Sequence, residues 1–176
     1  NADGLLQLAV NGSGLDGARE ALQKAIDEGP EDTATQPVLR SLVGAMAETL
    51  FHKYNTDGNP TGMFPWLEQQ KGQPYLDEAL VVRATDNAIR AGKQEETLNF
   101  LERMNQDRPA GNPVGSDLLL QMVTQPGNKL DDAAFDRAIK VLQADEARLR
   151  AAAAIMNSIN PERAARLEAL ISEGAK

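Results

Sequence analysis

The chain of 176 residues has no cysteine, one histidine (His52), one tryptophan (Trp66), two tyrosines and four phenylalanines. Without thiols there is no disulfide, no thiolate nucleophile and no thiolate metal ligand. A lone histidine leaves little for imidazole-based catalysis or a histidine-rich metal centre. No apolar run approaches the ~20 residues that a helix needs to cross a bilayer. β-Branched and aromatic residues are sparse, and no alternating apolar/polar run of useful length is present, so strands have no signal. No glycine-rich phosphate loop leads into a Lys-Ser/Thr helix start, and no GxSxG elbow occurs.

What is present is charge, alanine and helical periodicity. The formal charge is -8. It is unevenly spread: residues 1–88 hold 6 Lys/Arg against 13 Asp/Glu, and residues 89–176 hold 12 against 13. An acidic first half repels phosphate backbones and anionic lipids, so nucleic acid and membrane surfaces are not expected partners. A docking face for a basic or amphipathic protein or peptide fits better. The length suits a single domain, read over residues 3–176, that buries roughly 70% of its unfolded surface without a metal or disulfide. Asn1-Ala2 resembles the remnant of a cleaved tag, and removal of a signal peptide or an upstream domain would explain such a start. An exported or periplasmic place, in a bacterial secretion or envelope assembly, is preferred to the cytoplasm.

Helical stripes follow one another along the chain. Asp16 can cap a first helix with Ala18, Leu22, Ala25 and Ile26 on one face, stopped at Gly29-Pro30. Thr35 and Pro37 open a second, where Val38, Leu42, Met46 and Leu50 recur at four-residue steps until about Tyr54. Pro74 opens a third, with Leu80, Val81, Ala84, Ala88 and Ile89 inward, and residues 94–106 follow after Gly92. Ser116 caps a short apolar helix over 118–124. Asp131 caps the longest predicted helix, in which Phe135, Leu142, Leu149 and Met156 lie seven apart; only Asp145-Glu146 puts charge in that seam. Asn160-Pro161 starts the last helix, so residues 130–173 are expected to form a helical hairpin. The fold class that results is all-α: six to eight helices packed as antiparallel hairpins, with a solenoid-like stack among the arrangements.

The run Ala88-Ile-Arg-Ala-Gly-Lys-Gln-Glu-Glu-Thr-Leu-Asn-Phe-Leu-Glu-Arg-Met104 has small alanine positions, an Ala91-Gly92-Lys93 turn and a Leu98/Leu101/Met104 stripe. Over residues 84–104 it resembles the helix–turn–helix of tetratricopeptide and pentatricopeptide repeats. That resemblance implies a groove between packed hairpins that binds a peptide or protein.

Residues 55–72 form the least regular segment, and long loops are functional more often than short ones. Met63, Phe64, Trp66 and Leu67 are the candidate partner-binding residues, because tryptophan is a frequent interface anchor. The competing reading is that Phe64 and Trp66 plug the core beside the helix ending at Tyr54. His52, with Glu48 four residues before it, could offer two metal ligands or an acid–base pair, or simply complement a helix end. Asn55-Thr-Asp57-Gly-Asn59 has the alternating oxygens of a calcium loop, but Pro60 and Trp66 stand where glycine and a bidentate glutamate belong, which favours a solvated turn. Asp16/Glu20, Asp132/Asp136 and Glu95/Glu96 are paired carboxylates that read first as helix-solvating charge.

The expectation is a non-catalytic interaction or adaptor module with no cofactor and no metal. It would bind its partner beside residues 76–104 and the loop 55–72. The alternative is a small-ligand-binding protein or carboxylate-based enzyme with a pocket near His52, Tyr54 and Trp66. Oligomeric state stays open.

Overall fold

A computed structural model describes residues 14, 16, 17, 20, 23, 27, 36–73, 76–108, 113–125 and 130–174. Among them are eight helices and no strand. The all-α expectation holds. The chain divides into two compact units, residues 1–91 and 92–176. Residues 76–91 of the expected binding region thus belong to the first unit and 92–104 to the second.

In the first unit, α1 (Gln36–Thr56), α2 (Phe64–Gln69) and α3 (Glu78–Arg90) build the core. The four-residue stripe of α1 continues as predicted through Met46, Leu50 and Tyr54, all buried. Thr35 and the side chains of Val38 and Leu42 lie outside the described residues. The sequence that resembles a calcium loop is the end of α1. Asn59 N–H donates to the Tyr54 carbonyl (2.8 Å) and Gly58 N–H to that of Asn55 (3.1 Å). Gly58 sits at φ +73°. These two bonds and a left-handed glycine between them make a Schellman helix end, which satisfies the last carbonyls of α1. These local hydrogen bonds organise the segment.

The segment 55–72 is therefore more ordered than its sequence suggests. After the Gly58 turn, Gly62 N–H donates to Asn59 and Phe64 N–H to Thr61, at 3.1 Å each, and α2 follows with Pro65 in its first turn. Gly62 lies against the Tyr54 ring, and a Cβ added there would overlap it. We expect Gly62→Ala to cost about 1–3 kcal/mol, the usual toll of overpacking, read as a lower urea midpoint with unchanged slope. An unchanged midpoint would show that the ring gives way freely.

Helix α3 starts later than Pro74 predicts. Asp77 is its N-cap, accepting a hydrogen bond from Ala79 N–H (3.0 Å). The side-chain oxygen supplies what an orphan amide needs, and Pro74 itself lies outside the described residues. Val81, Ala84 and Ala88 are buried as expected, and buried Thr85 is satisfied by the Val81 carbonyl (2.9 Å). Ala47, Phe51, Met63, Leu67, Leu80 and Ala84 line one narrow void, so α1, α2 and α3 share a core.

The second unit holds α4 (Gln94–Asn105), α5 (Ser116–Thr124), α6 (Asp132–Leu142), α7 (Glu146–Ile159) and α8 (Pro161–Gly174). Leu98, Phe100, Leu101, Leu119, Met122, Phe135, Leu142 and Leu149 are almost wholly buried. Helix α5 packs on α6 and α7, α4 on α6, and α7 folds back on α8. Gly115 at φ +72°, rather than Ser116, occupies the N-cap of α5.

The predicted long helix from Asp131 is two helices. Residues 143–145 form a turn closed by Asp145 N–H on the Leu142 carbonyl (2.8 Å), and the Asp145 carboxylate then caps α7 by accepting from Arg148 N–H (3.1 Å). Aspartate competes with the helical backbone for its hydrogen bonds, so it favours a cap over a helix interior. The expected hairpin over 130–173 is consequently a three-helix segment, and its hairpin proper is α7–α8. Asp131 and Asn160 do cap helices as predicted, through Ala134 N–H (2.7 Å) and Arg163 N–H (3.2 Å).

Candidate functional site

The four sequence-predicted binding residues are placed in the core. Met63, Phe64, Trp66 and Leu67 expose 3%, 4%, 2% and 1% of their surface. Met63 and Leu67 face the narrow void shared with α1 and α3. The packing alternative for Phe64 and Trp66 is how these side chains sit. The Trp66 indole N–H is buried without a hydrogen-bond partner. Its ring borders a shallow recess with Asp16, Glu20, Gln23 and Gln69.

His52 lines a different recess. An open groove of about 650 Å³ runs between α1 and α3. From α1 it takes Glu48, Phe51, His52 and Asn55, and from α3 Arg83, Asp86, Asn87 and Arg90. Positions 48, 52 and 55 share one face of α1, as 83, 87 and 90 share one face of α3, by the three- and four-residue spacing of helical neighbours. Glu48 ion-pairs with Arg83. Asn55 and Asn87 exchange two amide hydrogen bonds, at 3.0 and 2.6 Å. Both pairings step forward along both helices, so α1 and α3 run in the same sense. Arg83 lies 5.9 Å over the Phe51 ring, and Arg90 pairs with Asp86 (2.9 Å). The predicted Glu48/His52 pair does not form, because Glu48 is held by Arg83. His52 is exposed on the groove wall, while Tyr54 is buried on the opposite side of α1. Among the described residues no three His, Asp or Glu side chains cluster as a metal site would need.

The paired carboxylates of the second unit hold arginines. Arg137 on α6 donates to both Glu102 oxygens (2.8 Å each), to Glu95 (2.6 Å) and to Asn99. Residues 95, 99 and 102 form one face of α4, a spacing legible in the sequence, though nothing there names Arg137 as their partner. These contacts raise the Arg137 pKa further. Arg163 reaches the Leu130 carbonyl (2.8 Å) and Asp132 (3.1 Å), and stacks 4.6 Å over Phe135. Arg166 pairs with Asp136 (3.1 Å).

Arg148 bridges Asp117 and Asp145, at 2.7 Å to each. The hydrogen bond from Arg148 holds the Asp117 carboxyl below its ordinary value of 3.8, its charge helps, and slight burial opposes. A carboxyl depressed in the folded state adds stability above its unfolded pKa, and that stability is lost as pH falls through the folded value. We expect an NMR titration of Asp117 to show a midpoint below 3.8, rising to the ordinary range in Arg148→Gln. An unmoved midpoint in that variant would separate Asp117 from Arg148.

A second groove, of about 600 Å³, lies between the ends of α4 and α6 and includes Arg103, Arg108, Arg137 and Lys140. No helix among the described residues is long and apolar enough to cross a membrane. The chain matches no known protein family, no curated protein and no solved structure. The functional reading therefore rests on the surfaces just described.

Proposed function

We propose that the chain is a non-catalytic interaction module whose N-terminal unit docks a protein or peptide partner in the α1–α3 groove. The observation that carries this reading is the groove wall itself. Amide groups (Asn55, Asn87), both signs of charge (Glu48, Asp86, Arg83, Arg90) and one aromatic ring (Phe51) line an open trough between two helices. Such a wall offers donors and acceptors to an extended backbone and an apolar contact to a side chain. Residues 1–91 carry 13 Asp/Glu against 7 Lys/Arg, which favours a basic or amphipathic partner through its long-range field. Met63 and Leu67 pack behind Glu48, Phe51 and Arg83 of the groove wall, and none of Met63, Phe64, Trp66 and Leu67 lines the groove.

The test places p-benzoylphenylalanine at His52, and separately at exposed Glu173 on α8, in extracts of the source cells. One light-dependent adduct at position 52, absent at 173 and weakened in Asn87→Ala, is the expected outcome. No adduct at 52, or the same adducts at both positions, would overturn the proposal.

The convergence of His52, Asn55, Asn87 and two carboxylates also supports a second reading, a small-ligand or carboxylate-based enzymatic site in the same groove. That site would exclude Tyr54 and Trp66, whose side chains lie elsewhere. A thermal-shift screen of small polar ligands separates the two: a hit that stabilises the wild type and fails with Asn87→Ala favours the ligand site.

A further inference from the structure

Trp66 is 2% exposed, and its indole N–H is the one buried side-chain polar atom among the described residues that has no hydrogen-bond partner. A buried donor without an acceptor costs free energy, and folded proteins seldom leave one. Trp66 borders a recess of about 380 Å³, whose other described lining residues are Asp16, Glu20, Gln23 and Gln69. An acceptor brought into that recess is the partner that the protein itself does not supply.

The walls of the recess ask for a cation as well. Asp16, Glu20 and Gln23 have helical backbone and follow one another at four- and three-residue steps, so they share one face. Trp66 and Gln69 share a face of α2 by the same spacing. Gln23 braces one wall against the other: its side-chain oxygen accepts from the buried Gln70 amide at the end of α2 (3.0 Å), and its own amide donates to Asp27 (2.8 Å). Asp16 and Glu20 are exposed, and no hydrogen bond or ion pair holds either carboxylate. Like charges four residues apart on a helix repel, and a cation bound between them removes that cost. Two carboxylates are too few to cage a metal ion, and no three His, Asp or Glu side chains cluster among the described residues. An organic cation needs only charge-assisted hydrogen bonds, which a guanidinium or an ammonium group donates in several directions.

We propose that this recess binds a basic amino-acid unit, with its guanidinium or ammonium group on Asp16 and Glu20 and its carbonyl or carboxylate oxygen accepting from the Trp66 N–H. Cation and acceptor in one molecule answer both features of the site, and either alone answers one. The acidic balance of residues 1–91, 13 Asp/Glu against 7 Lys/Arg, draws such a cation in. The recess shares no described lining residue with the α1–α3 groove, so the two proposals fail separately.

The chain has a single tryptophan, so its indole N–H gives one cross-peak in a proton–nitrogen correlation spectrum of the labelled full chain. Four probes are titrated: N-acetylarginine amide, free arginine, agmatine (the cation without the carbonyl) and N-acetylnorleucine amide (the carbonyl without the cation). The indole proton is expected to move downfield with an arginine probe, as it gains an acceptor. Tighter binding of the capped form makes the natural ligand a residue within a peptide, and tighter binding of the free form makes it a free amino acid. Affinity should fall about tenfold or more in Asp16→Asn/Glu20→Gln, and should fall with added salt. Glu20→Gln alone, a neutral change at an exposed position, should weaken binding about two- to fivefold with the thermal melt unchanged, which keeps the test valid if the double variant misfolds. An indole peak that no probe moves, equal movement with agmatine or the norleucine amide, or undiminished affinity in the carboxylate variants would overturn the proposal.

Discussion

Trp66→Ala is expected to destabilise the N-terminal unit by about 3–5 kcal/mol, the range for truncating a large buried aromatic. Trp66 is among the largest fully buried side chains, 2% exposed. It stands on a six-residue helix whose neighbours Phe64 and Leu67 face the same core. A helix so short has little stability of its own, so its register depends on the side chains it buries. Removing the indole leaves a cavity and loosens the anchor of the whole 59–73 connection. The loss is measured as a drop in the urea midpoint by circular dichroism. A change under about 1 kcal/mol would mean that Trp66 is a surface residue in solution, and would return residues 63–67 to the list of direct partner contacts. Trp66→Phe is the companion variant. It keeps most of the volume and removes the unpartnered indole N–H. Burying a donor without a partner costs free energy, so part of the lost packing is offset, and we expect a net loss below about 2 kcal/mol.

Phe135→Ala is the second large effect, again about 3–5 kcal/mol, in the C-terminal unit. The ring is fully buried on α6 and has the Arg163 guanidinium 4.6 Å from its centre. Truncation opens a cavity and takes away the surface on which Arg163 stacks, an interaction worth about 0.5–2 kcal/mol by itself. Arg163 also caps the Leu130 carbonyl and pairs with Asp132, so the variant loosens the α6–α8 junction along with the core. Circular dichroism reads the helices of both units, whereas fluorescence of the single tryptophan reads only the first. The expected result is a lowered midpoint by circular dichroism. If the Trp66 signal moves by the same amount, the two units unfold as one cooperative system. If it stays, each has its own transition.

Much of the fold was legible because helices are declared locally. Met46, Leu50 and Tyr54 at four-residue steps specify a buried face wherever that helix lies. Asp131 and Asn160 cap because their side chains reach an amide three residues on, and that needs no tertiary contact. The break before Asp145 carried a signal too: a charge in an otherwise apolar seam. Reading it as one irregularity in a long helix gave more weight to the seven-residue period than to the capping preference of aspartate.

The sequence by itself determined the helical class, the starts of α4, α6 and α8 and the exclusion of thiol chemistry, since these follow from composition and from interactions within a few residues of the chain. Only the tertiary structure decided where Met63, Phe64, Trp66 and Leu67 point. An apolar side chain in an irregular segment satisfies a partner or a core equally well, and here the core takes all four. The same holds for the pairs Glu48–Arg83, Asn55–Asn87 and Arg137–Glu102, each joining residues more than 30 positions apart. Charge patterning along one helix shows that a face is polar. Which distant group completes it, and so whether the face becomes a strut or a groove, depends on how the helices pack.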